Sequence, residues 1–212
     1  MKYDFDKQVN RRGTGSLKWD VPENELPMWV ADMDFETVPQ VKEALAARVA
    51  QGIYGYSILP DEWSRSYVDW WKKRHGLDLD PEKLIFVTGI VPAISSAVRK
   101  LTTPAENVLV QTPTYNIFFN SIYNNGRNIV ENKLLYDGER YRVDWGKLEE
   151  QLSDPQTTLM ILCNPHNPIG KIWDKETLTR VGELCSKYDV TVLSDEIHCD
   201  LTAPGREYVP FA

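Results

Sequence analysis

Apolar residues change rhythm twice along this 212-residue chain. Residues 1–36 hold no sustained period, and the one concentrated stretch, "LPMWVADMDF" (Leu26 to Phe35), is too short and mixed to form a core of its own. From Thr37 the spacing becomes helical: Pro39 sits near the start, and Val41, Ala44, Leu45 and Val49 recur at i, i+3 and i+4. Gly52 and Gly55 in "QGIYGYS" break that pattern. A second helix is predicted from Pro60 to His75, with Trp63, Tyr67, Trp70 and Trp71 on one face and Gly76 as its stop signal. An aromatic stripe of that kind reads as core or subunit interface. After Pro81 strands and helices alternate. "KLIFVTG" reads as a strand, Pro92 to Leu101 as a helix, "NVLVQTP" as a strand, and "NIFFNSIYNN" as a helix ending at Gly126. Then come "IVENKLLY", the short helix "DWGKLEEQL", the strand "TTLMILCNP", a helix from Asp174 to Tyr188, and the strand "VTVLSDE". Near-continuous apolar strands between helices predict an α/β fold: a mostly parallel sheet with helices on both faces.

Composition narrows this only slightly. A hydrophobic content of 42% in 212 residues supports one sizeable core and an appendage. The balance of 24 basic and 31 acidic side chains leaves −7, which disfavours nucleic acid and anionic membranes as partners. No apolar leader or membrane-length run is present, so the expectation is a cytoplasmic protein. Cys163, Cys185 and Cys199 are odd in number and irregularly spaced, unlike a disulfide framework. A metal site drawn from Cys163, His166, His198 and Cys199 lacks finger or ribbon spacing, and no metal is expected.

In parallel sheets ligands bind beyond the carboxyl ends of the strands, so the residues there carry the chemistry. Gly89 allows a tight turn after the first expected strand, and the backbone N–H groups of Ile90 and Val91 then open a helix, an arrangement that accepts phosphate. Any strand–glycine–helix turn looks similar, so the signal is weak alone. Pro113 directs Tyr115 to the mouth of the next strand, where a flat ring either stacks on a planar ligand or packs on its own helix. "CNPHNPIG" places two Asn-Pro pairs and a glycine within seven residues, holding Asn167 in a rigid loop with both an amide donor and an acceptor. In "TVLSDEIHCD" a buried strand runs into Asp195, whose desolvation is costly unless a cation meets it. By itself Asp195 reads as a cap or a loop ion pair. A phosphate seat, a stacking aromatic, a rigid donor and a buried carboxylate at four strand ends together fit pyridoxal 5′-phosphate, whose ring nitrogen works best protonated.

These residues carry a resemblance. "YDFDKQVNRRGTGSLKWD", "LPMWVADMDF", "GIYGYS", "VTGIVPAI", "TPTYNIFF", "NPHNPIG" and "SDEIHCDL" run in the order found in fold-type I, aspartate-aminotransferase-like pyridoxal phosphate enzymes. The chain resembles most the MalY/PatB-type cystathionine β-lyase, or C–S lyase, subgroup of the class I/II aminotransferases. The resemblance implies that Tyr115 stacks on the cofactor ring, Asn167 bonds its phenolic oxygen and Asp195 pairs with its ring nitrogen. It implies a phosphate turn at Gly89, Ile90 and Val91, and a phosphate contact from Tyr56 of a neighbouring subunit in a homodimer. Val30 and Ala31 would approach the substrate carboxylate. His198 stands where typical aminotransferases carry Tyr, which favours the lyase subgroup and leaves the second contact to the phenolic oxygen open. By the same resemblance, residues 1–36 belong to the small-domain, substrate side, and 37–212 to an incomplete large domain stopping before its last strands.

The implied reaction cleaves the Cβ–S bond of cystathionine or a cysteine conjugate to a thiol, pyruvate and ammonia. The family's cofactor-bearing lysine follows the Asp on the next strand, whereas the last lysine here is Lys187. The expectation is therefore an amino-terminal portion, inactive alone, with exposed strand edges that promote association. An aminotransferase on the same scaffold is the nearest rival, and a non-catalytic partner-binding protein is a rival of another class. A nucleotide-binding domain is disfavoured, because no G-x-G-x-x-G follows a strand.

Overall fold

The computed structural model describes residues 3–212 and divides into two compact units, Met1–Ile58 and Leu59–Ala212. The first contains a short 3₁₀ turn at Leu17–Trp19 and helix α1, Pro39–Gln51, which begins on proline and ends at Gly52 in the left-handed region (φ 70°). Pro39 fits there because the first helical N–H needs no partner. The apolar positions of α1 that carried its periodicity, Val41, Leu45 and Val49, are exposed. An ionic knot organises the loop before α1: Asp34 accepts from Arg11 Nη1 at 2.8 Å, Lys18 Nζ at 2.8 Å and Trp19 Nε1 at 2.7 Å. Lys18 Nζ also donates to the Asp32 carbonyl at 2.8 Å, and Arg11 Nη1 to the Asp32 carboxylate at 2.5 Å. Hydrogen bonds from Lys18, Trp19 and Arg11 hold the Asp34 carboxyl well below the usual carboxylate range.

The second unit is built on a parallel sheet of β1 (Asn107–Thr112), β2 (Asn128–Lys133), β5 (Thr157–Cys163) and β6 (Thr191–Asp195) in the order β2-β1-β5-β6. Strands β3 (Leu135–Tyr136) and β4 (Tyr141–Arg142) form a separate antiparallel hairpin. The helices are α2 (Asp61–His75), α3 (Ile90–Leu101), α4 (Asn116–Tyr123), α5 (Trp145–Leu152) and α6 (Lys175–Lys187).

Strand alternation explains how both faces are covered. Val108, Val110, Leu159, Ile161 and Cys163 point to one face and pack with Ile94 and Val98 of α3 and Phe118 and Ile122 of α4. Leu109, Met160 and Leu162 point to the other and pack with Leu148 and Leu152 of α5 and Leu178, Val181 and Cys185 of α6. Each helix supplies its core residues at spacings of three or four, so one stripe per helix meets one face of the sheet. Asp144 and Asp174 cap α5 and α6, accepting from the N–H groups of Lys147 at 3.0 Å and Thr177 at 2.8 Å. Buried Arg127 serves the opposite end of α3, donating from Nη2 to the carbonyls of Arg99 and Thr102 and from Nε to Thr102 Oγ1.

Three local expectations are corrected. "KLIFVTG" forms no strand: Leu84–Thr88 is irregular and Ile85, Phe86 and Val87 are exposed. Its apolar, β-branched composition favours a strand, but a strand exists only where a neighbour accepts its hydrogen bonds, and none among the described residues pairs with it. "IVENKLLY" is two strands, because the chain leaves the sheet after Lys133 and turns into the hairpin. Helix α3 begins at Ile90 rather than Pro92; proline sits without penalty in the first turn, where its missing N–H is not needed. Of the aromatic stripe on α2, Trp71 is buried with Cys199 and Tyr208, while Tyr67 and Trp70 are exposed.

Candidate functional site

Register gathers three strand ends on one face of the sheet. Val110 aligns with Ile161 and Cys163 with Asp195, so Thr112, two residues beyond Val110, ends beside Cys163. At a strand spacing of about 4.8 Å, the ends of β1, β5 and β6 lie within roughly 10 Å of one another. By the alternation that directs Val110, Ile161 and Cys163 toward α3 and α4, Leu193 and Asp195 face the same way. The residues following these ends are Tyr115, Asn167 and His198.

Asp195 is 9% exposed. Its Oδ1 accepts from the N–H of Ile197 at 3.3 Å, and among the described residues no lysine, arginine or histidine forms an ion pair with it. Burial raises its pKa from the ordinary carboxylate value, opposed by the Ile197 N–H and the nearby His198 and reinforced by Glu196. A buried carboxylate facing no protein cation is the arrangement that a cationic ligand atom would complete. Asp195 also lines a groove of about 1040 Å³ together with Ile90 at the start of α3; Tyr115 and Asn167 lie outside that lining.

At the head of α3, Gly89 is the N-cap and provides no side-chain cap, so the first-turn N–H groups of Ile90 and Val91 are not met by a capping side chain. Tyr115 is the N-cap of α4, and its ring, 38% exposed, meets buried Phe118 edge-on at 5.8 Å. That contact is the packing alternative realised, and it leaves part of the ring available. Asn167 is half-buried; its N–H donates to Cys163 Sγ at 3.4 Å, while its side-chain amide makes no hydrogen bond with the protein among the described residues. His198 lies in the turn after β6, where its carbonyl accepts from the Leu201 N–H at 2.9 Å.

Tyr56, Val30 and Ala31 belong to the Met1–Ile58 unit. Tyr56 is fully exposed, and Val30 and Ala31 directly precede the Asp32–Asp34 loop held by Arg11 and Lys18. They are not among the residues that strand register gathers.

Several residues that fasten the site escaped a sequence reading. The buried Asn164 donates its N–H to the Asp195 carbonyl at 3.0 Å, accepts from the Trp173 N–H at 3.2 Å and donates from Nδ2 to the Val209 carbonyl at 2.9 Å. Trp173, 1% exposed, donates from Nε1 to the Cys163 carbonyl at 3.1 Å. Burial pushes the Cys163 thiol up to about 11, so it stays protonated and acts as a hydrogen-bonding pivot. Glu196 accepts from Ser194 Oγ and from the Phe211 N–H, both at 2.9 Å. The density of Asn and Pro in "CNPHNPIG" signals a constrained loop, but not these partners.

Of the sketched metal ligands, only Cys199 enters a cluster: His75, Cys199 and Asp200 have ligand atoms within 4.8 Å of one another. Asp200 is already engaged, receiving Trp70 Nε1 at 2.9 Å on one oxygen and meeting His75 Nε2 at 3.0 Å and Arg74 Nε at 3.6 Å on the other. The trio fastens the end of α2 to the turn after β6. No helix among the described residues is long and apolar enough to cross a membrane.

The cystathionine β-lyase PatB of Bacillus subtilis is 46% identical over 215 residues, an alignment spanning 98% of this chain and 55% of PatB. The protein MalY of Escherichia coli is 32% identical over 99% of this chain and 56% of its own length. The crystal structure of cystalysin from Treponema denticola, which contains a pyridoxal 5′-phosphate cofactor, superposes with a TM-score of 0.93 at 36% identity, covering 100% of this chain and 56% of cystalysin. The pyridoxal-phosphate-bound C–S lyase from Staphylococcus hominis gives 0.91 at 32% identity, covering 100% of this chain and 55% of that one. The chain thus spans about half the length of the relatives it matches. The sequence pattern of aminotransferase class I and II matches residues 24–210, most of the chain, and the α/β fold superposes on that of cystalysin over the whole length of this chain. The chain belongs to the aminotransferase class I and II family.

Proposed function

We propose that the strand ends of the second unit hold pyridoxal 5′-phosphate, and that the protein to which this chain belongs is a carbon–sulfur β-lyase of small sulfur amino acids. The observation that carries the cofactor reading is Asp195, a buried carboxylate with no protein cation, on the same sheet face as Cys163 and in the same groove as Ile90. The donor set fits the group: Asp195 for a protonated ring nitrogen, Tyr115 for the ring face, Asn167 for the phenolic oxygen, and Gly89, Ile90 and Val91 for the phosphate. By the resemblance to the lyase subgroup, Tyr56 would serve the site of a partner subunit and Val30 and Ala31, in the 1–36 segment, would meet the substrate carboxylate; His198 stands at the position where other family members carry Tyr.

Bound there, the cofactor supplies an electron sink for the charge left when a proton departs the substrate Cα. Asp195 would favour a protonated ring nitrogen, because a facing positive charge relieves its own desolvation. Asn167 would donate an amide N–H to the phenolic oxygen without bringing a charge of its own. The amides of Ile90 and Val91 would hold the phosphate end, and Tyr115 would offer its face to the ring. No lysine follows Lys187 in this sequence, so the stretch from Met1 to Ala212 holds its ligand through these contacts without the covalent bond made by the family's lysine.

The lyase reading rests on the similarity to PatB and the C–S lyases and on His198 in place of Tyr. The test is a titration of the chain with pyridoxal 5′-phosphate followed by tyrosine and tryptophan fluorescence and by cofactor absorbance. Saturable binding is expected, weakened about ten-fold or more by Asp195→Ala, consistent with loss of a charge-assisted contact. A borohydride-reducible adduct on a lysine of this chain, or binding indifferent to Asp195, overturns the reading of the site. On a protein carrying the family's lysine, pyruvate and thiol release from cystathionine separates a lyase from keto-acid exchange by an aminotransferase.

A further inference from the structure

His166 is unused in that scheme, yet it is among the most enclosed polar residues of the chain at 1% exposure. It sits between the two Asn-Pro pairs, and its neighbours tie it to both loops that carry cofactor candidates. Its Nε2 lies 3.0 Å from the carbonyl of Pro113, two residues before Tyr115. A carbonyl only accepts, so Nε2 carries the hydrogen. Its Nδ1 is buried and has no hydrogen-bond partner among the described residues. The backbone is pinned independently: the His166 N–H donates to the Lys171 carbonyl at 2.7 Å, and its carbonyl accepts from the Gly170 N–H at 2.8 Å. The ring meets Trp173 edge-on at 5.7 Å, and Trp173 donates in turn to the Cys163 carbonyl. The next residue, Asn167, is anchored on Cys163 Sγ.

We propose that His166 is a positioning residue: the neutral Nε2–H tautomer clips the Asn167 loop to the exit of β1 and so sets Asn167 relative to Tyr115. The inference deepens the cofactor reading and rests on it for its functional consequence. Its geometric content stands separately, because strand register fixes the ends of β1 and β5 but not the loops beyond them. The Pro113 contact spans those loops directly. Burial holds the imidazole below its ordinary pKa, although the carbonyls of Pro113 and Gln111 favour the protonated ring, which agrees with a ring that stays neutral near pH 7. Neutrality is what the clip requires: a cation enclosed among Trp173, Pro113 and the sheet would itself need an anion.

Three variants test the clip. Gln at 166 reaches as far as Nε2 and offers an N–H to Pro113; Asn is polar but too short; Leu fills the space and offers nothing. Nitrogen NMR of the wild-type chain is expected to show a neutral ring protonated at Nε2. Amide hydrogen exchange at Asn167 and Gly170, scaled to core amides of β1 and β5, is expected to speed up roughly five-fold in His166→Leu and His166→Asn, the loss of about one net hydrogen bond. His166→Gln should restore it. The dissociation constant for pyridoxal 5′-phosphate should rise in Leu and Asn and recover in Gln. Exchange unchanged in both Leu and Asn, no recovery in Gln, or an Nδ1–H tautomer overturns the proposal. If exchange responds but affinity does not, His166 is a structural clip only and the positioning role fails. If the wild-type chain takes up no cofactor, the cofactor reading fails by itself, while exchange and tautomer still decide whether His166 joins the loops.

Discussion

A negative charge on Asp195 sits in a place that does not favour one. Burial outweighs the Ile197 N–H and the nearby His198, so the carboxyl binds its proton more tightly than in the unfolded chain. A group whose folded pKa is raised costs no stability below its unfolded pKa and its full cost above its folded pKa. Asp195→Asn is therefore expected to raise the melting temperature at pH 7, with the gain vanishing as the pH falls below the ordinary carboxylate range. Thermal melts of both proteins from pH 3 to about pH 8 measure it. A lower melting temperature for the variant at pH 7 would mean that the charge is compensated within the chain and that Asp195 is a structural ion-pair residue. The residue scale also divides what could be read from what could not. A carboxylate at the end of an apolar strand stands out because desolvation makes it expensive. His166 and Asn164 do not stand out, because their worth lies in carbonyls 53 and 45 residues away in sequence.

At the scale of elements, local chemistry was a good guide wherever the deciding contacts were themselves local. Helix α6 begins after Asp174 because that side chain accepts the Thr177 N–H, and α2 ends where Gly76 adopts φ 68°. The cap on α6 has a measurable weight. The Thr177 N–H holds the Asp174 carboxyl below its usual range, so the cap contributes stability above the unfolded carboxylate pKa and loses it as the pH falls through the folded value. Asp174→Ala is expected to cost about 1 kcal/mol at pH 7 in urea unfolding, and less in acid. An equal loss at pH 7 and at about pH 2.5 would show that the cap's charge is irrelevant. Where the deciding contact is distant, the same reasoning fails. "KLIFVTG" has strand composition and no strand, because pairing and not propensity makes one.

On the larger scale of the Leu59–Ala212 unit, β6 is paired on one side only among the described residues, and the groove beside it is lined by Ile85, Val87, Ile90 and Leu193. An open strand edge next to exposed apolar side chains favours association between chains. Sedimentation velocity across a concentration series is expected to show the 212-residue chain self-associating, and Ile85→Lys, at a position 83% exposed, to reduce it without lowering the melting temperature. A monomer at every concentration with a sharp two-state melt would show that the edge is self-protecting. Asp195, although buried, is among the residues that line this groove.

The order of amino acids by itself determined most of the alternation of strands and helices, the glycine stops, the two-faced burial of the parallel sheet, and the strand ends as the place to look. Each of these follows from periodicity and from residues within a turn or two of one another. Tertiary structure alone decided which strand ends stand together, which strand-like stretch goes unpaired, and which buried histidine joins two loops, because hydrogen bonds between distant segments leave no periodic trace along the chain.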